Sequence, residues 1–232
     1  MRLLGNDIVD LNEPGIAGKS GDARFLKRVF SDDEQSAILS SPNPDLTLWM
    51  SWAAKETAYK IISKMIGPPV FAHKKFKTIF LKSLPAATPQ MDVAYRQWMF
   101  QIEINFTENY IHAVGTPAAT GGRPGDFRSE NVHRVTKSEL KTWGNASKWA
   151  ENFTKEERLS IHHAASALVR LHCKQSIAEK LKITPSRLQI IRPVKERKSQ
   201  PPFLLVDNKP AEIDISLSHH GAWLGWCFCM KH

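Results

Sequence analysis

The sequence predicts an α+β protein made of two pseudo-twofold-related halves, each a helix packed on a mostly antiparallel sheet. Three observations predict it: a Gly/Pro-rich break near the middle, a capping-box helix start in each half, and an Ala-Ala helix followed by a hairpin-like stretch in each half.

The break runs from Gly115 to Gly125 and includes Pro117, Gly121, Gly122 and Pro124, residues that exclude helix and strand pairing. It divides the chain into an N-terminal half at 1–115, a linker at 116–127 and a C-terminal half at 128–232. The capping boxes follow a phenylalanine in both halves: Phe30-Ser31-Asp32-Asp33-Glu34 and Phe153-Thr154-Lys155-Glu156-Glu157, with Ser31 and Thr154 as caps. The Ala-Ala helices cover Trp52 to Lys60 and His163 to Arg170, and the hairpin-like stretches cover Ile104 to Tyr110 and Ile215 to Gly221. From Ala53 to Ala164, and from Ile104 to Ile215, the spacing is 111 residues. Alternating apolar residues mark strands at Phe76 to Leu81 and Met99 to Ile104.

An apolar fraction of 42% over 232 residues supplies a core of ordinary size and argues against disorder. The formal charge of +9 favours an acidic partner: nucleic acid, a membrane surface, a phosphorylated cofactor or an acidic protein. Cys173, Cys227 and Cys229 form no CxxC pair, which suits a reduced, cytoplasmic protein, and no segment has the roughly 20 apolar residues of a membrane span.

The residues that suggest chemistry lie in both halves. Asp7 sits in Gly5-Asn6-Asp7-Ile8-Val9-Asp10, where apolar neighbours would hold its carboxylate at the start of a strand. Glu56 and Lys60 are four apart on one helix face, with Trp52 one turn earlier. Two carboxylates on rigid elements beside a lysine suit Mg²⁺, which takes one or two protein carboxylates and completes its octahedron with water and phosphate oxygens. In the other half Ser218-His219 follow the strand Ile213 to Leu217 and precede Gly221, so hydroxyl and imidazole donors would stand at a turn, where they suit a phosphate oxygen. The adjacent pairs His162-His163 and His219-His220 point in different directions and make a poor zinc site, and HExxH, P-loop and GxSxG motifs are absent.

Gly5-Asn6-Asp7, Trp52-Ala53-Ala54-Lys55-Glu56-Thr57-Ala58-Tyr59-Lys60 and Ser216-Leu217-Ser218-His219 together resemble the Gly-x-Asp, Trp-x-x-Lys-Glu and Ser-x-Ser-His signatures of the 4'-phosphopantetheinyl transferases. The resemblance implies that family's fold, with Asp7 and Glu56 as Mg²⁺ ligands and Lys60 at the pyrophosphate and leaving oxygen. It also implies Ser218 and His219 at the coenzyme A phosphates. Lys198 stands near the family's Gly-Lys-Pro, here with the Gly missing and Ser-Gln inserted. Asp10 matches an acidic position of the small synthases, whereas Val9 replaces the third acidic residue of the surfactin-type enzymes. The motif order is that of the small trimeric holo-acyl carrier protein synthases, in twice their length. The surfactin-type monomers have two such halves but place Ser-His first.

The reaction implied is attack by a carrier-protein serine on the β-phosphate of coenzyme A, with Mg²⁺ at the pyrophosphate and adenosine 3',5'-bisphosphate released. Glu56, Lys60 and a metal-bound water remain alternatives for the general base. The acidic apo carrier protein would dock at Arg24, Lys27 and Arg28, which share one face if their segment is helical. A pseudo-dimeric monomer, with no nucleic-acid or membrane partner, completes the expectation. At the repeat-related positions Thr107 and Glu108 replace Ser218 and His219, and Ser166 and Ala167 replace Lys55 and Glu56, so one of two pseudo-equivalent sites is functional. Two readings compete. An Mg²⁺-dependent nuclease fits the acids, lysine and basic surface, although nucleases commonly set acid and lysine two apart on a strand. A non-catalytic nucleic-acid-binding module would use Trp98, Phe100 and Tyr110 as a stacking platform.

Overall fold

A computed structural model describes residues 3–70, 72–80, 89–118, 128–195 and 198–230. Strand β1 (Gly5–Asp10) opens the chain. Helix α1 (Ala23–Val29) starts where Asp22 accepts from the Phe25 N–H, and α2 (Asp32–Leu39) starts at a complete capping box between Ser31 and Glu34. The long α3 (Pro44–Ile66) is capped by Asn43, has Pro at its first position, and ends at Gly67 with φ 81°. Strands β2 (Lys77–Phe80), β3 (Gln90–Tyr95), β4 (Trp98–Phe106) and β5 (Tyr110–Pro117) complete an antiparallel sheet in the order β1-β5-β4-β3-β2. Thr116 and Pro117, assigned to the linker from sequence, lie in β5, where Pro117 faces Phe100 at the strand end. The rest of that break, 119–127, is outside the described residues.

Helix α3 buries Ala53, Ala54, Ala58, Ile61 and Ile62 against this sheet. The approach is close because Gly5 and Gly115 are register partners beneath Thr57. A Cβ at Gly5 would overlap the Thr57 carbonyl oxygen and lie 2.8 Å from Ile61 Cγ1. Phe100 is fully buried and Trp98 packs on the same core, while Tyr110 lies against Trp223 at 4.4 Å. These aromatics are packing residues, which removes the proposed stacking platform.

The second half begins with β6 (Arg128–Arg134), α4 (Lys137–Trp143) and α5 (Ala146–Asn152). Helix α6 (Lys155–Arg158) starts at the Thr154–Glu157 capping box, and α7 (Ala164–Leu181) follows. Strands β7 (Leu188–Ile191), β8 (Val194–Lys195), β9 (Lys198–Ser199), β10 (Phe203–Val206) and β11 (Lys209–Pro210) lead to the hairpin β12 (Ile213–His220) and β13 (Trp223–Met230). They form sheets β12-β13-β6 and β7-β10-β11 and a small β8-β9 hairpin. Helix α7 packs Leu168, Cys173, Ile177 and Ala178 with Ile190, Ile215, Leu224 and Phe228.

The echo between halves extends into the core. Lys55 Nζ, on α3, donates to Glu34 Oε2 at 2.8 Å, and Lys174 Nζ, on α7, donates to Glu157 Oε1 at 3.1 Å. Each glutamate also accepts from a backbone N–H of the neighbouring sheet, Thr78 or Ile190, and each ammonium lies over the phenylalanine of its capping box. The helices are therefore related by 119 residues and the capping boxes by 123, not by 111. The hairpins are related by 113, since Asn105 faces His112 as Ser218 faces Gly225. On this register Lys55 and Glu56 correspond to Lys174 and Gln175, which corrects the pairing with Ser166 and Ala167. Ser218 and His219 correspond to Asn105 and Phe106 instead of Thr107 and Glu108.

The halves meet along β1 and β12, which run side by side in the same direction. Leu4 N donates to Asp214 Oδ2 at 2.8 Å, Asn6 N to Ser216 Oγ at 3.0 Å and Asp10 N to His220 Nδ1 at 3.0 Å. Lys64 Nζ reaches across to Asp214 Oδ2 at 2.9 Å, and Leu4, Val114, Cys227 and Cys229 form an apolar plug beside it.

Candidate active site

A cleft of about 310 Å³ lies between the halves, lined by Asp7, Lys60 and Lys64 from one side and by Ser160, His163, Arg170, Arg192, Ser218 and His219 from the other. Asp7 is the third residue of β1. Its neighbour Asn6 turns into the seam, so the alternation of the strand aims Asp7 at α3. Lys60 Nζ donates to Asp7 Oδ1 at 2.9 Å and to the Asn6 carbonyl at 2.7 Å.

Glu56 lies one turn before Lys60. Burial, and after it the Asp7 carboxylate, raises the Glu56 pKa to about 7, with Lys60 acting in the opposite sense. One lysine therefore does not balance the two carboxylates, and a divalent cation held by them would. His73 Nε2 stands 4.0 Å from Glu56 Oε1, its ring packed 4.6 Å from Trp52, which itself stacks on Phe25 of α1. Lys55, by contrast, is fully buried in its ion pair and serves the scaffold.

Ser218 and His219 lie within β12, with the turn at Gly221, so they are strand residues instead of turn residues. The Ser218 hydroxyl lines the cleft but accepts from Asn6 Nδ2 at 2.8 Å and donates to the Gly225 carbonyl at 3.3 Å. Ser216 likewise accepts from Asn6 N, so both serines are engaged in the seam. His219 turns to the cleft, its ring edge-on to His163 at 4.7 Å. The ring keeps solvent-accessible area while standing in a concave wall. That enclosure, then the positive neighbours His163, Lys60 and Arg170, holds its pKa well below the usual imidazole range. Accessible area moderates the effect without changing its direction, and the imidazole is neutral at pH 7. Lys60 is thus within electrostatic reach of both Asp7 and His219, the point at which the two halves join.

Arg170 was not singled out from sequence. It is 4% exposed, and burial followed by the nearby Arg192 pushes its pKa down to about 10. Its guanidinium donates to Ser166 and Ser160 oxygens, Nε has no partner, and among the described residues no carboxylate lies within 4 Å of it. A buried cation facing a cleft without a counter-ion is an anion site in waiting. The available signal was spacing: His163 and Arg170 are seven apart, two turns along one face of an apolar helix.

Lys198 is exposed on β9 and does not line the cleft, although its neighbour Ser199 does. Asp10 is 4% exposed and accepts from the Ala222 and Asn12 N–H groups, so it ties β1 to the β12-β13 turn away from Glu56. Arg24, Lys27 and Arg28 do share the exposed face of α1, opposite buried Phe25, Leu26 and Val29.

Residues 3–115 match the family model of the 4'-phosphopantetheinyl transferase superfamily. A solved structure, that of the Thermotoga maritima holo-acyl-carrier-protein synthase, is similar at 13% identity and a TM-score of 0.38, covering 62% of this chain and 76% of its own. No curated protein matches the chain.

Proposed function

We propose that this protein transfers the phosphopantetheine arm of coenzyme A to a serine of an apo carrier protein and releases adenosine 3',5'-bisphosphate. The observation that carries the proposal is one cleft lined by Asp7 and Lys60, with Glu56 one helical turn from Lys60, and by the buried cation Arg170, Arg192 and the His219 imidazole.

Asp7 and Glu56 would hold Mg²⁺, which supplies charge neutralisation at the pyrophosphate. Lys60, fixed by Asn6 and Asp7, is placed to meet the leaving phosphate oxygen. His219 offers a neutral N–H to a phosphate oxygen, and Arg170 supplies the matching positive charge from the opposite wall. Positioning and fixed charge supply most of the rate enhancement in phosphoryl-type transfer. Glu56 and Lys60 are the chain's own candidates to accept the serine proton.

Only one such site is proposed. At the repeat-related positions the carboxylates become amides: Asp7 corresponds to Asn131, since Asp7 faces Ala113 as Asn131 faces Trp226, and Glu56 corresponds to Gln175. The carrier protein would approach over α1, where the basic face adjoins His73 and Glu56. Among the described residues no helix is long and apolar enough to cross a membrane.

The test is incubation with coenzyme A, Mg²⁺ and a panel of apo carrier proteins, with the products weighed. Gain of one phosphopantetheine mass on the carrier, absent without Mg²⁺, is the expected result. A panel left unmodified, with Mg²⁺-dependent plasmid nicking lost on Glu56→Ala, would move the assignment to a nuclease.

A further inference from the structure

A second group of ligand-type side chains lies away from the cleft, on the outer side of the second half. His133 projects from β6, Glu139 from the first turn of α4 and His172 from α7, and one donor atom of each lies within 4.8 Å of the other two. His133 Nε2 and Glu139 Oε1 are 3.4 Å apart. Tetrahedral zinc with bonds near 2.0–2.1 Å separates its ligand atoms by roughly 3.3 Å, so this pair already has the required spacing. The two imidazole rings are 4.3 Å apart between centroids, tilted by 36°.

Two further features bear on the same group. His172 Nε2 is buried and has no hydrogen-bond partner, which is costly for a polar atom unless something else completes it. Its ring is braced against Trp226, 5.6 Å away and nearly parallel, while the Trp226 N–H is held by Ser176. Glu139 is oriented by its other oxygen: Oε2 accepts from Thr136 N and Oγ1 in the capping box, leaving Oε1 for the histidines.

We propose that His133, Glu139 and His172 form a zinc site that pins α4 to α7 and β6, with a water in the fourth position. Two histidines and one carboxylate suit zinc, and a short inward shift of the His172 ring, at most roughly 1.5 Å, would bring all three donors to tetrahedral distances. The site is independent of the proposed transfer reaction, since it shares no residue with the cleft.

The experiment uses the full chain, freed of metal by chelator and then titrated with Zn²⁺ alone in competition with a coloured chelator. With the cleft carboxylates neutralised in Asp7→Asn/Glu56→Gln, one zinc per chain is expected, its affinity falling roughly 100-fold when His172→Gln or His133→Gln is added. Zinc should raise the unfolding temperature of that double variant and leave it where it was once His172→Gln is added. Cobalt in place of zinc should give the intense visible bands of a four-coordinate ion. Absence of saturable binding, or binding that survives both histidine substitutions, would overturn the proposal. Should His133→Gln fold poorly, Glu139→Gln reports on the same site, because its amide oxygen can still accept from Thr136.

Discussion

Lys55 and Lys174 hold the same place in the two halves, each a buried ammonium under a phenylalanine ring, 4.9 Å from Phe30 and 5.1 Å from Phe153, and each tied to the glutamate of a capping box. Each glutamate in turn holds a backbone N–H of the adjoining sheet. Lys55→Met or Lys174→Met strands a carboxylate in the core, and each should cost about 3–5 kcal/mol in urea unfolding. The double variant Glu34→Gln/Lys55→Met should recover part of that loss, because no bare charge remains. A loss below 1 kcal/mol in the single variants would mean that these pairs do not anchor the helices.

The raised pKa of Glu56 makes stability depend on pH in a definite direction. Folded protein holds the Glu56 proton up to about pH 7, while the unfolded chain releases it near 4.5, so without divalent cation stability falls as pH rises through that window. Glu56→Gln should flatten this slope and stabilise the metal-free protein at pH 8, while abolishing transfer. Mg²⁺ with coenzyme A should stabilise the wild type more at pH 8 than at pH 5.5, because the cation needs both carboxylates ionised. Thermal unfolding at the two pH values, with and without these ligands, reads the effect. An equal response at both would remove Glu56 from the metal site.

Gly5→Ala tests whether the close contact of β1 with α3 sets the geometry of the site. The added methyl would meet the Thr57 backbone, which cannot swing aside as a side chain would. A stability loss of about 1–3 kcal/mol is expected. A shift of α3 by 1 Å would also carry Glu56 and Lys60 away from Asp7, lowering turnover by roughly 100-fold. Unchanged turnover in a folded Gly5→Ala protein would show that the helix adjusts without disturbing the acids.

Charge reversal of Arg24 and Lys27 tests the proposed docking face of α1. Both side chains are exposed, so their effect should be on encounter and weaken with salt. The double variant should raise KM for the carrier protein several-fold, leave KM for coenzyme A within about twofold, and flatten the salt dependence of the rate. An unaltered carrier KM would put the docking surface elsewhere.

Much of the local structure was legible in the chain. Both capping boxes form with both reciprocal bonds, the Trp52 to Lys60 segment is helical, and α1 presents its three basic residues on one face. These features depend on neighbours a few residues away. The register of the repeat was not legible, because segments between corresponding elements differ in length and an Ala-Ala pair carries no record of what it packs against. The buried Glu–Lys pairs carry that record, but their partners are 21 and 17 residues apart, a spacing without period. Arg170 is illegible for a similar reason: its significance lies in a buried guanidinium with no carboxylate within 4 Å among the described residues, which only the folded cleft displays. Asp10 matches an acidic position of the small synthases, yet in the fold it accepts from the Ala222 N–H and ties β1 to the β12-β13 turn.

The bonds from Leu4, Asn6 and Asp10 to β12 each join residues 210 positions apart, which sets an order of events during synthesis. At ribosomal rates of about 5–20 residues per second, roughly 10–40 s separate the emergence of the two strands. Through that interval β1 is the open edge of a five-stranded sheet, able to pair with any passing strand. The nascent first half therefore displays Asp7 and Glu56 without the wall that completes their cleft. On the proposed reading, competence arrives only once β12 has emerged, so a chain stalled or truncated before that strand is both inert and adhesive.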